Sequence, residues 1–402
     1  MELSLNTLFL IALIMVISPL IAELPLGFRM PMVVVELVSG IIVGPHVLDL
    51  VQVDAVLAFL GTFGLTFLFF IAGMEIDFSL LRGRPLTLGI IGWLLSLALA
   101  QLISVGLMLV GFVEAPILVG IALTTTAIGT LLPILRDAKE LDTRFGHFLL
   151  GAGSMGEFGP ILALSLLAPF IKGDAHGAEW REPVLLFAFS AIAMVTAWIG
   201  LRARPFRIAL YLRRHLTTSS QLPVRVAVCL LITLVALAGS FGLDVILGAF
   251  AAGMVIGTIM RAIDDGERLN IGHKIFEQKL EALSFGFFIP LFFVVSGIHF
   301  NLAALLDLHT LARVPIFLLL FLIVRGLPVV ALYREELEAP ERLRLALFSA
   351  TGLPLVVAIT EIGVLTGRMR TDNAAALVGG ALISVLVFPL FALALDSSRK
   401  TG

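Results

Sequence analysis

The chain has 402 residues, of which 59% are hydrophobic and only 14% are charged, and its mean hydropathy is +1.08. Soluble domains usually carry about 25% charged residues, so this composition excludes a soluble globular protein and indicates an integral membrane protein. The net charge of −2 is spread over short loops and gives no reason to expect nucleic acid as a partner.

Apolar runs of about 18 to 28 residues recur along the chain, which is the length that a helix needs to cross about 30 Å of hydrocarbon. The sequence lacks the alternating pattern of a barrel strand. We therefore predict an all-α polytopic membrane protein with about 13 transmembrane helices. The predicted spans are residues 4–22, 30–49, 55–74, 86–111, 115–135, 145–171, 183–201, 223–240, 243–260, 283–305, 312–333, 343–365 and 373–395.

Thirteen spans place the two termini on opposite sides of the membrane. With these boundaries, 21 of the 27 Lys and Arg residues fall on one side and five on the other, while Arg325 lies within a span. By the positive-inside rule we predict a protein of the cell inner membrane, with its N-terminus outside and its C-terminus in the cytoplasm. A cleaved signal peptide is the weaker interpretation of residues 4–22, because the start MELSLN is acidic rather than basic.

Sequence signals of several other protein classes are missing. The single cysteine, Cys229, lies in an apolar span and supports neither a disulfide framework nor a thiolate metal cluster. Without an HExxH or a GxxxxGK[ST] motif, we expect neither an enzyme nor a protein that needs a cofactor. We expect residues 1–396 to form one transmembrane unit, followed by a short cytoplasmic tail at 397–402 and no regulatory nucleotide-binding domain.

Ionisable residues inside the apolar spans carry most of the functional information. A charge at the bilayer centre costs from about 3 to more than 10 kcal/mol, so such residues face the protein interior or water and are functional candidates. Four residues qualify: Glu36, Glu157, Glu361 and Arg325.

The stretch GAGSMGEFGP, residues 151–160, places Glu157 deep in the sixth span. Pro160 cannot donate a backbone hydrogen bond, which leaves the carbonyl oxygen of Gly156 without its helical partner. Carboxylate and carbonyl oxygens suit a hard monovalent cation. We therefore predict Glu157 as the carrier of a cation and a proton, with Ser154 and Gly156 in supporting positions. The alternative is a helix kink in which a neighbouring Ser, Thr or Arg satisfies Glu157.

Arg325 stands in a similar setting, because Pro328 follows it by three residues and frees the carbonyl of Val324. A guanidinium stays protonated in a protein, so Arg325 is predicted to meet an anion, either Glu157 or Glu361. Such an ion pair could pin two helices together, and it could also tune the carrier.

Two spans are interrupted by hydroxyl residues together with Gly and Pro. Thr124, Thr125 and Thr126 interrupt the fifth span, and Ser349–Pro354, which includes Thr351, interrupts the twelfth. Paired broken helices that cross near the midplane indicate an ion or substrate site in transporters. Gly, Pro and Thr are also common in ordinary membrane helices, but each interrupted span is followed by one further helix, as an inverted repeat requires.

Five motifs occur in an order that resembles the membrane domain of the Kef-like monovalent cation:proton antiporter-2 family. They cover almost the whole chain. The motifs are VVVELVSGIIVGP (33–45), LFFIAGMEIDFSLLR (68–82), ALTTTAIGTLLPILRD (122–137), LGAFAAGMVIG (247–257) and FFIPLFFVVSGIHFNL (287–302).

This resemblance implies a thirteen-helix, Na⁺/H⁺ antiporter-like fold with two inverted repeats. It implies core helices near residues 86–171 and 312–395, and dimerisation helices near residues 1–74 and 183–305. It also implies a homodimer in which the core moves like an elevator.

The resemblance assigns roles to three residues of this sequence. In the family, the carrier carboxylate is commonly the second residue of an Asp-Asp, Asn-Asp or Gln-Asp pair, and Glu157 and Gly156 occupy the two positions. Arg325 matches a basic residue on the span before the second broken helix. The single carboxylate, and Glu in place of Asp, are departures from the family pattern that prevent selectivity and stoichiometry from being transferred.

We predict a secondary active antiporter in which H⁺ and Na⁺, K⁺ or Li⁺ compete for Glu157, with one cation exchanged for one proton. Glu361 and Glu36 are candidates for a second carrier or for the partner of Arg325. A Na⁺-coupled symporter of organic anions is the alternative, although it needs a further cationic or polar pocket. A gated channel would need a filter loop or charge ring, which the sequence does not show.

Overall fold

The computed structural model describes residues 5–23, 30–75, 83–128, 131, 135, 140, 143–172, 220–241, 243, 245–264 and 271–400. Within these residues the regular structure is entirely helical. The predicted seventh span, residues 183–201, lies outside them.

The helices are numbered here in chain order. A π-helical turn at Ser284–Phe288 joins the ninth helix to the tenth, and the twelfth helix ends in a 3₁₀ turn at Tyr333–Glu335. They are α1 (Leu5–Ala22), α2 (Met32–Val43), α3 (Ala55–Glu75), α4 (Arg84–Leu109), α5 (Pro116–Leu123), α6 (Arg144–Lys172), α7 (Leu222–Ser240), α8 (Val245–Asp264), α9 (Ile271–Leu283), α10 (Ile289–His299), α11 (Leu302–Leu306), α12 (Leu308–Leu332), α13 (Ala339–Ser349), α14 (Pro354–Leu365) and α15 (Thr371–Lys400).

Among the described residues, seven helical segments are long and apolar enough to cross a membrane. This confirms the polytopic all-helical class, while the number thirteen stays a prediction. The seven segments are Ala55–Met74, Arg84–Leu109, Leu222–Ser240, Ile275–His299, Leu308–Glu335, Ala339–Leu365 and Thr371–Leu395. Shorter apolar helices cover Thr7–Ala22, Met32–Val43 and Val245–Met260.

Two predicted spans have different boundaries in the structure. The span predicted at 30–49 is helical only over Met32–Val43, because Gly44 adopts an extended conformation and Pro45 follows it. The span predicted at 283–305 begins earlier and ends at His299. Asn301 then caps the separate helix α11, since its side chain accepts a hydrogen bond from the Ala304 amide.

The chain divides into two compact units. The first comprises Met1–Val53, Phe78–Ala163 and Phe293–Gly402, and the second comprises Asp54–Asp77 and Leu164–Phe292. In the second unit, α3 packs against α8, and α7 also packs against α8. Phe67 of α3 stacks on Phe288 with the ring centroids 4.4 Å apart.

Small residues bring helices of the first unit close together. A Cβ atom on Gly40 of α2 would collide with the carbonyl of Val294 and the backbone of Gly297 on α10. Gly89 of α4 likewise lies against the backbone of Gly151 on α6, so only glycine fits at these approaches.

An exposed charge cluster ties three helices of the first unit together at one end. Glu336 accepts a hydrogen bond of 2.7 Å from Arg84 Nε and one of 2.6 Å from Arg144 Nη2, and Arg84 also bonds Glu335 at 3.1 Å. These contacts join the N-termini of α4 and α6 to the segment that follows α12. The hydrogen bonds from Arg84 and then Arg144 lower the pKa of the Glu336 carboxyl below its ordinary value of 4.5.

The substitution Glu336→Gln removes this bridge. An ionised carboxylate with a lowered pKa stabilises the fold above its unfolded pKa, and the contribution disappears as the pH falls through the folded pKa. We therefore expect the melting temperature in detergent to drop by about 1 to 2 °C at pH 7, a modest effect because the partners are exposed. The difference from wild type should narrow below pH 4.5. A difference that is independent of pH would contradict this role of the charge.

Candidate functional site

Two helices of the first unit are interrupted where the sequence predicted. Helix α5 ends at Leu123, and residues 125–127 that follow are not helical. Helix α13 ends at Ser349, residues 351–353 are not helical, and α14 begins at Pro354. Both predicted interruptions are confirmed.

The two interruptions meet through direct hydrogen bonds. The Ala127 amide donates to the carbonyl of Thr351 at 2.7 Å, and the Thr126 hydroxyl donates to the carbonyl of Ser349 at 2.6 Å. A Cβ atom on Gly352 would lie 2.7 Å from Thr125 Oγ1 and 3.1 Å from the Thr125 carbonyl oxygen. Gly352 therefore allows the two chain segments to approach this closely.

The other threonine hydroxyls of the interruptions bond within their own segments. Thr124 donates to the carbonyl of Ile121 at 2.7 Å, and Thr125 donates to that of Ala122 at 2.8 Å. Thr351 donates to the carbonyl of Leu347 at 3.1 Å. These hydroxyls donate their protons to carbonyl groups near the helix ends, and all three threonines are buried.

Helix α6 brings Glu157 to the place where the two interruptions meet, which is called the crossing from here on. Glu157 is 7% exposed, and the carbonyl of the preceding residue, Gly156, accepts a hydrogen bond of 2.9 Å from the Thr126 amide. The sequence predicted that Pro160 would leave this carbonyl bare. The structure corrects that point, because the interrupted fifth span supplies the donor that Pro160 cannot. Ser154 is buried three residues before Glu157 on the same helix.

Arg325 of α12 is 2% exposed and bonds neutral oxygen atoms from three elements. Its Nη2 atom donates to the Thr126 hydroxyl and to the carbonyl of Ala152, both at 2.9 Å, and its Nε atom lies 3.3 Å from the carbonyl of Ser349. The sequence predicted a carboxylate partner, yet none of the ion pairs formed among the described residues includes Arg325. The guanidinium thus joins both interruptions to α6.

Gly156 is the point at which α6, Thr126 and Arg325 come closest. A Cβ atom here would collide with Thr126 Oγ1 and would lie 2.6 Å from Thr126 Cβ and 2.7 Å from Arg325 Nη2. The guanidinium and the threonine therefore occupy the space that a side chain at position 156 would need. This places a fixed positive charge beside the backbone that leads into Glu157.

The two secondary carboxylates occupy other places in the first unit. Glu361 of α14 accepts a hydrogen bond of 3.2 Å from Ser296 Oγ and lies 3.4 Å from His299 Nδ1. Glu36 of α2 is 3% exposed, one helical turn before the Gly40 approach described above. The hydrogen bonds and ion pairs of Glu361 thus join α14 to α10 and do not involve Arg325.

Sequence reasoning missed one buried ion pair next to the crossing. Arg344 of α13 bonds both carboxylate oxygens of Glu140, at 2.7 and 2.8 Å. Arg344 is the second residue of the predicted span 343–365 but was counted among the basic loop residues, so its burial was not predicted. A position two residues inside the span, followed by LALFSATGLP, was the only indication.

The contact at Gly156 can be tested by adding one methyl group. We expect Gly156→Ala to lower the free energy of unfolding by about 1 to 3 kcal/mol, because Thr126 or Arg325 must move. Gly92→Ala on α4 is the matched control, since its Cβ would meet only Leu332 Cδ1 at an ordinary 3.6 Å. That control should be neutral, or stabilising by up to about 1 kcal/mol through helix propensity. Equal melting temperatures in detergent for the two variants would contradict the close contact.

Comparisons with known proteins agree with this architecture. A putative Na⁺/H⁺ antiporter of Bacillus subtilis, YjbQ, is 28% identical over 377 residues, which cover 90% of this chain and 58% of that protein. The chain thus spans little more than half of this relative. The probable Na⁺/H⁺ antiporter 3 of Methanocaldococcus jannaschii is 27% identical over 71% of this chain and 69% of its own length. The Na⁺/H⁺-K⁺ antiporter GerN of Bacillus cereus is 24% identical over 72% and 71%.

A solved structure shares the fold. The sodium proton antiporter MjNhaP1 of Methanocaldococcus jannaschii superposes with a TM-score of 0.67 over 98% of this chain and 96% of its own, at 18% sequence identity. The family model described as "Sodium/hydrogen exchanger, transmembrane" matches residues 9–393. The chain is a multi-pass membrane protein that belongs to the sodium/hydrogen exchanger family.

Proposed function

We propose that the chain is a secondary active antiporter that exchanges a monovalent cation, Na⁺ or K⁺, for H⁺. The observation that carries this proposal is a buried carboxylate, Glu157, beside two interrupted helices that bond each other inside an apolar protein. Relatives whose names include Na⁺/H⁺ and Na⁺/H⁺-K⁺ antiporters support it. The finer assignment to the Kef-like branch rests on the sequence motifs.

The chemistry of the site suits two competing passengers. Glu157 can bind a proton covalently or, when ionised, a hard cation such as Na⁺, K⁺ or Li⁺. Supporting oxygen atoms come from Gly156 and Ser154 on α6, and from the interruptions at Thr124–Thr126 and Thr351. A carbonyl or hydroxyl oxygen has two lone pairs, so one that already accepts a hydrogen bond can still face a cation.

One carboxylate favours an exchange of one cation for one proton. Position 156 offers no side chain, and its space is taken by Arg325 and Thr126, so this position does not supply a second acidic group next to Glu157. Arg325 stays protonated and therefore does not itself carry a proton. The site then holds the same charge with either passenger, so the exchange is electroneutral.

Alternating access follows from movement of the core as one body. We infer that the helices near 86–171 and 312–395 carry the site across the membrane in an elevator-like motion, against helices near 1–74 and 183–305 that form a homodimer interface. The hydrogen bonds from Arg325 to both interruptions and to α6 support the rigidity of the moving core. The membrane orientation remains the one predicted from the basic residues, with the C-terminus cytoplasmic.

The contacts of Arg325 disfavour the alternative of an organic anion symporter. Such a symporter needs a cationic group that is available to the solute. The Nε and Nη2 atoms of Arg325 already donate to three oxygen atoms of the protein, so these donors are not available to an anionic solute.

The carrier can be identified in proteoliposomes with a trapped pH dye and a preset proton gradient. Adding Na⁺, K⁺ or Li⁺ to the wild type should dissipate the gradient, and Glu157→Gln should abolish the response because its amide neither ionises nor binds a proton. Glu361→Gln and Glu36→Gln are the matched controls and should retain exchange. If Glu157→Gln still exchanges, Glu157 is not the carrier, and if the wild type responds to no cation, the antiporter proposal fails.

Electroneutrality can be measured in the same vesicles. An imposed potential acts on transported charge with about 2.3 kcal/mol per elementary charge per 100 mV. We expect a potential of about 100 mV, set with a gradient of a membrane-permeant anion such as thiocyanate so that no candidate cation gradient is imposed, to leave the initial rate of Na⁺-evoked proton movement unchanged. A rate that changes severalfold with the sign of the potential would show that net charge crosses the membrane in each cycle, and would contradict the exchange of one cation for one proton.

A further inference from the structure

The buried ion pair of Arg344 and Glu140 connects four segments of the first unit. Arg344 donates from Nη2 to both oxygen atoms of Glu140, and its Nε atom donates to the carbonyl of Ala392 at 3.1 Å. Its guanidinium carbon also lies 4.6 Å from the ring centre of Phe145. The side chains of Arg344 and Glu140 are only 6% and 13% exposed.

The position of the pair links the halves of the proposed site. Arg344 belongs to α13, whose last residue, Ser349, presents the carbonyl that accepts from Thr126 and Arg325. Glu140 precedes α6, the helix that carries Glu157 and also contributes Phe145. Ser349 follows Arg344 by only five positions on one continuous helix, so a displacement of the helix at Arg344 also displaces the Ser349 carbonyl.

A charged pair at this position has a high desolvation cost. Burying two charges costs several kcal/mol per ion, and the attraction offsets that cost only when the geometry and the remaining hydrogen bonds are good. Arg344 meets both conditions through its two bonds to one carboxylate and its bond to Ala392. An apolar contact would hold the helices together without fixing their angle and height, whereas these directional bonds fix both.

We propose that Arg344 and Glu140 are positioning residues that set the cation-binding geometry by holding α13 against α6. This inference rests on the proposed function of Glu157 as the carrier. A bound cation needs oxygen atoms of α6 and of both interruptions at the correct distances. A bound proton needs only the carboxyl group of Glu157. Loosening α13 therefore weakens cation binding and leaves proton binding almost unchanged.

The test measures cation and proton dependence separately for Arg344→Gln, Glu140→Gln and the double variant. We expect the Na⁺ concentration for half-maximal exchange to rise about tenfold in each single variant, as displaced ligand groups typically produce large losses. The pH at which protonation changes the melting temperature, measured without Na⁺, should stay at the wild-type value. The double variant should resemble either single variant, because the two substitutions remove one interaction.

Two further variants separate positioning from simple structural damage. Arg344→Lys keeps the charge and should recover part of the affinity, and Arg344→Glu combined with Glu140→Arg should recover more than either reversal alone. Arg370→Gln is the matched control, because this arginine also bonds acidic partners, Glu114 and Asp372, but is 62% exposed. It should leave the half-maximal Na⁺ concentration unchanged.

A binding readout distinguishes failure of this inference from failure of the proposed function. The rise in melting temperature caused by Na⁺ reports binding without transport. Wild type that binds Na⁺ but exchanges no cation would contradict the antiporter proposal, while weaker Na⁺ stabilisation in Arg344→Gln would still support the positioning role. Variants that bind Na⁺ as well as the wild type, or that lose cation and proton dependence equally, would overturn it.

Discussion

The structure depends on how backbone groups are satisfied where two helices are broken inside an apolar protein. Unpaired amide and carbonyl groups cost several kcal/mol each in hydrocarbon, so an interruption persists only where the protein supplies partners. Here the interrupted segments and α6 supply hydrogen-bond partners to one another. The fifth span donates through Thr126 and Ala127 to α6 and to the twelfth span, and Arg325 bonds the carbonyl of Ser349. Each broken segment is thus completed by another element of the same crossing.

The same arrangement explains why the buried charges are tolerated. Arg325 is surrounded by carbonyl and hydroxyl oxygens, whose dipoles replace the water that a guanidinium loses on burial. Arg344 uses the other solution, an ionic partner together with a carbonyl group. The first solution leaves the positive charge uncompensated close to Glu157, whereas the second is locally neutral. The two arginines therefore differ in the net charge that they place near the carrier, although Arg325 bonds the last carbonyl of α13 and Arg344 belongs to that helix.

Sequence patterns predicted the helical class, most helix positions and both interruptions. Those features follow from local chemistry, because apolar length, Gly, Pro and Thr act on the segment in which they stand. The partner of the Gly156 carbonyl and the neutral surroundings of Arg325 were not predictable, since both depend on segments far apart in sequence. The early end at Gly44 and the break at Phe300 were missed for a different reason. Hydropathy alone does not register a cap such as Asn301.

The lack of space around Gly156 limits which substitutions can add an acidic residue to this site. A side chain at this position collides with Thr126 and Arg325, so an acidic residue cannot be added there while both keep their places. Acquiring a second carboxylate would require at least one coordinated change on α12 or in the fifth span. A variant with only the first of these changes would lose hydrogen bonds of the crossing before it gained a new ligand. Whether a titratable group can be added at position 156 therefore depends on three residues together, and a single substitution there leads through a less stable intermediate.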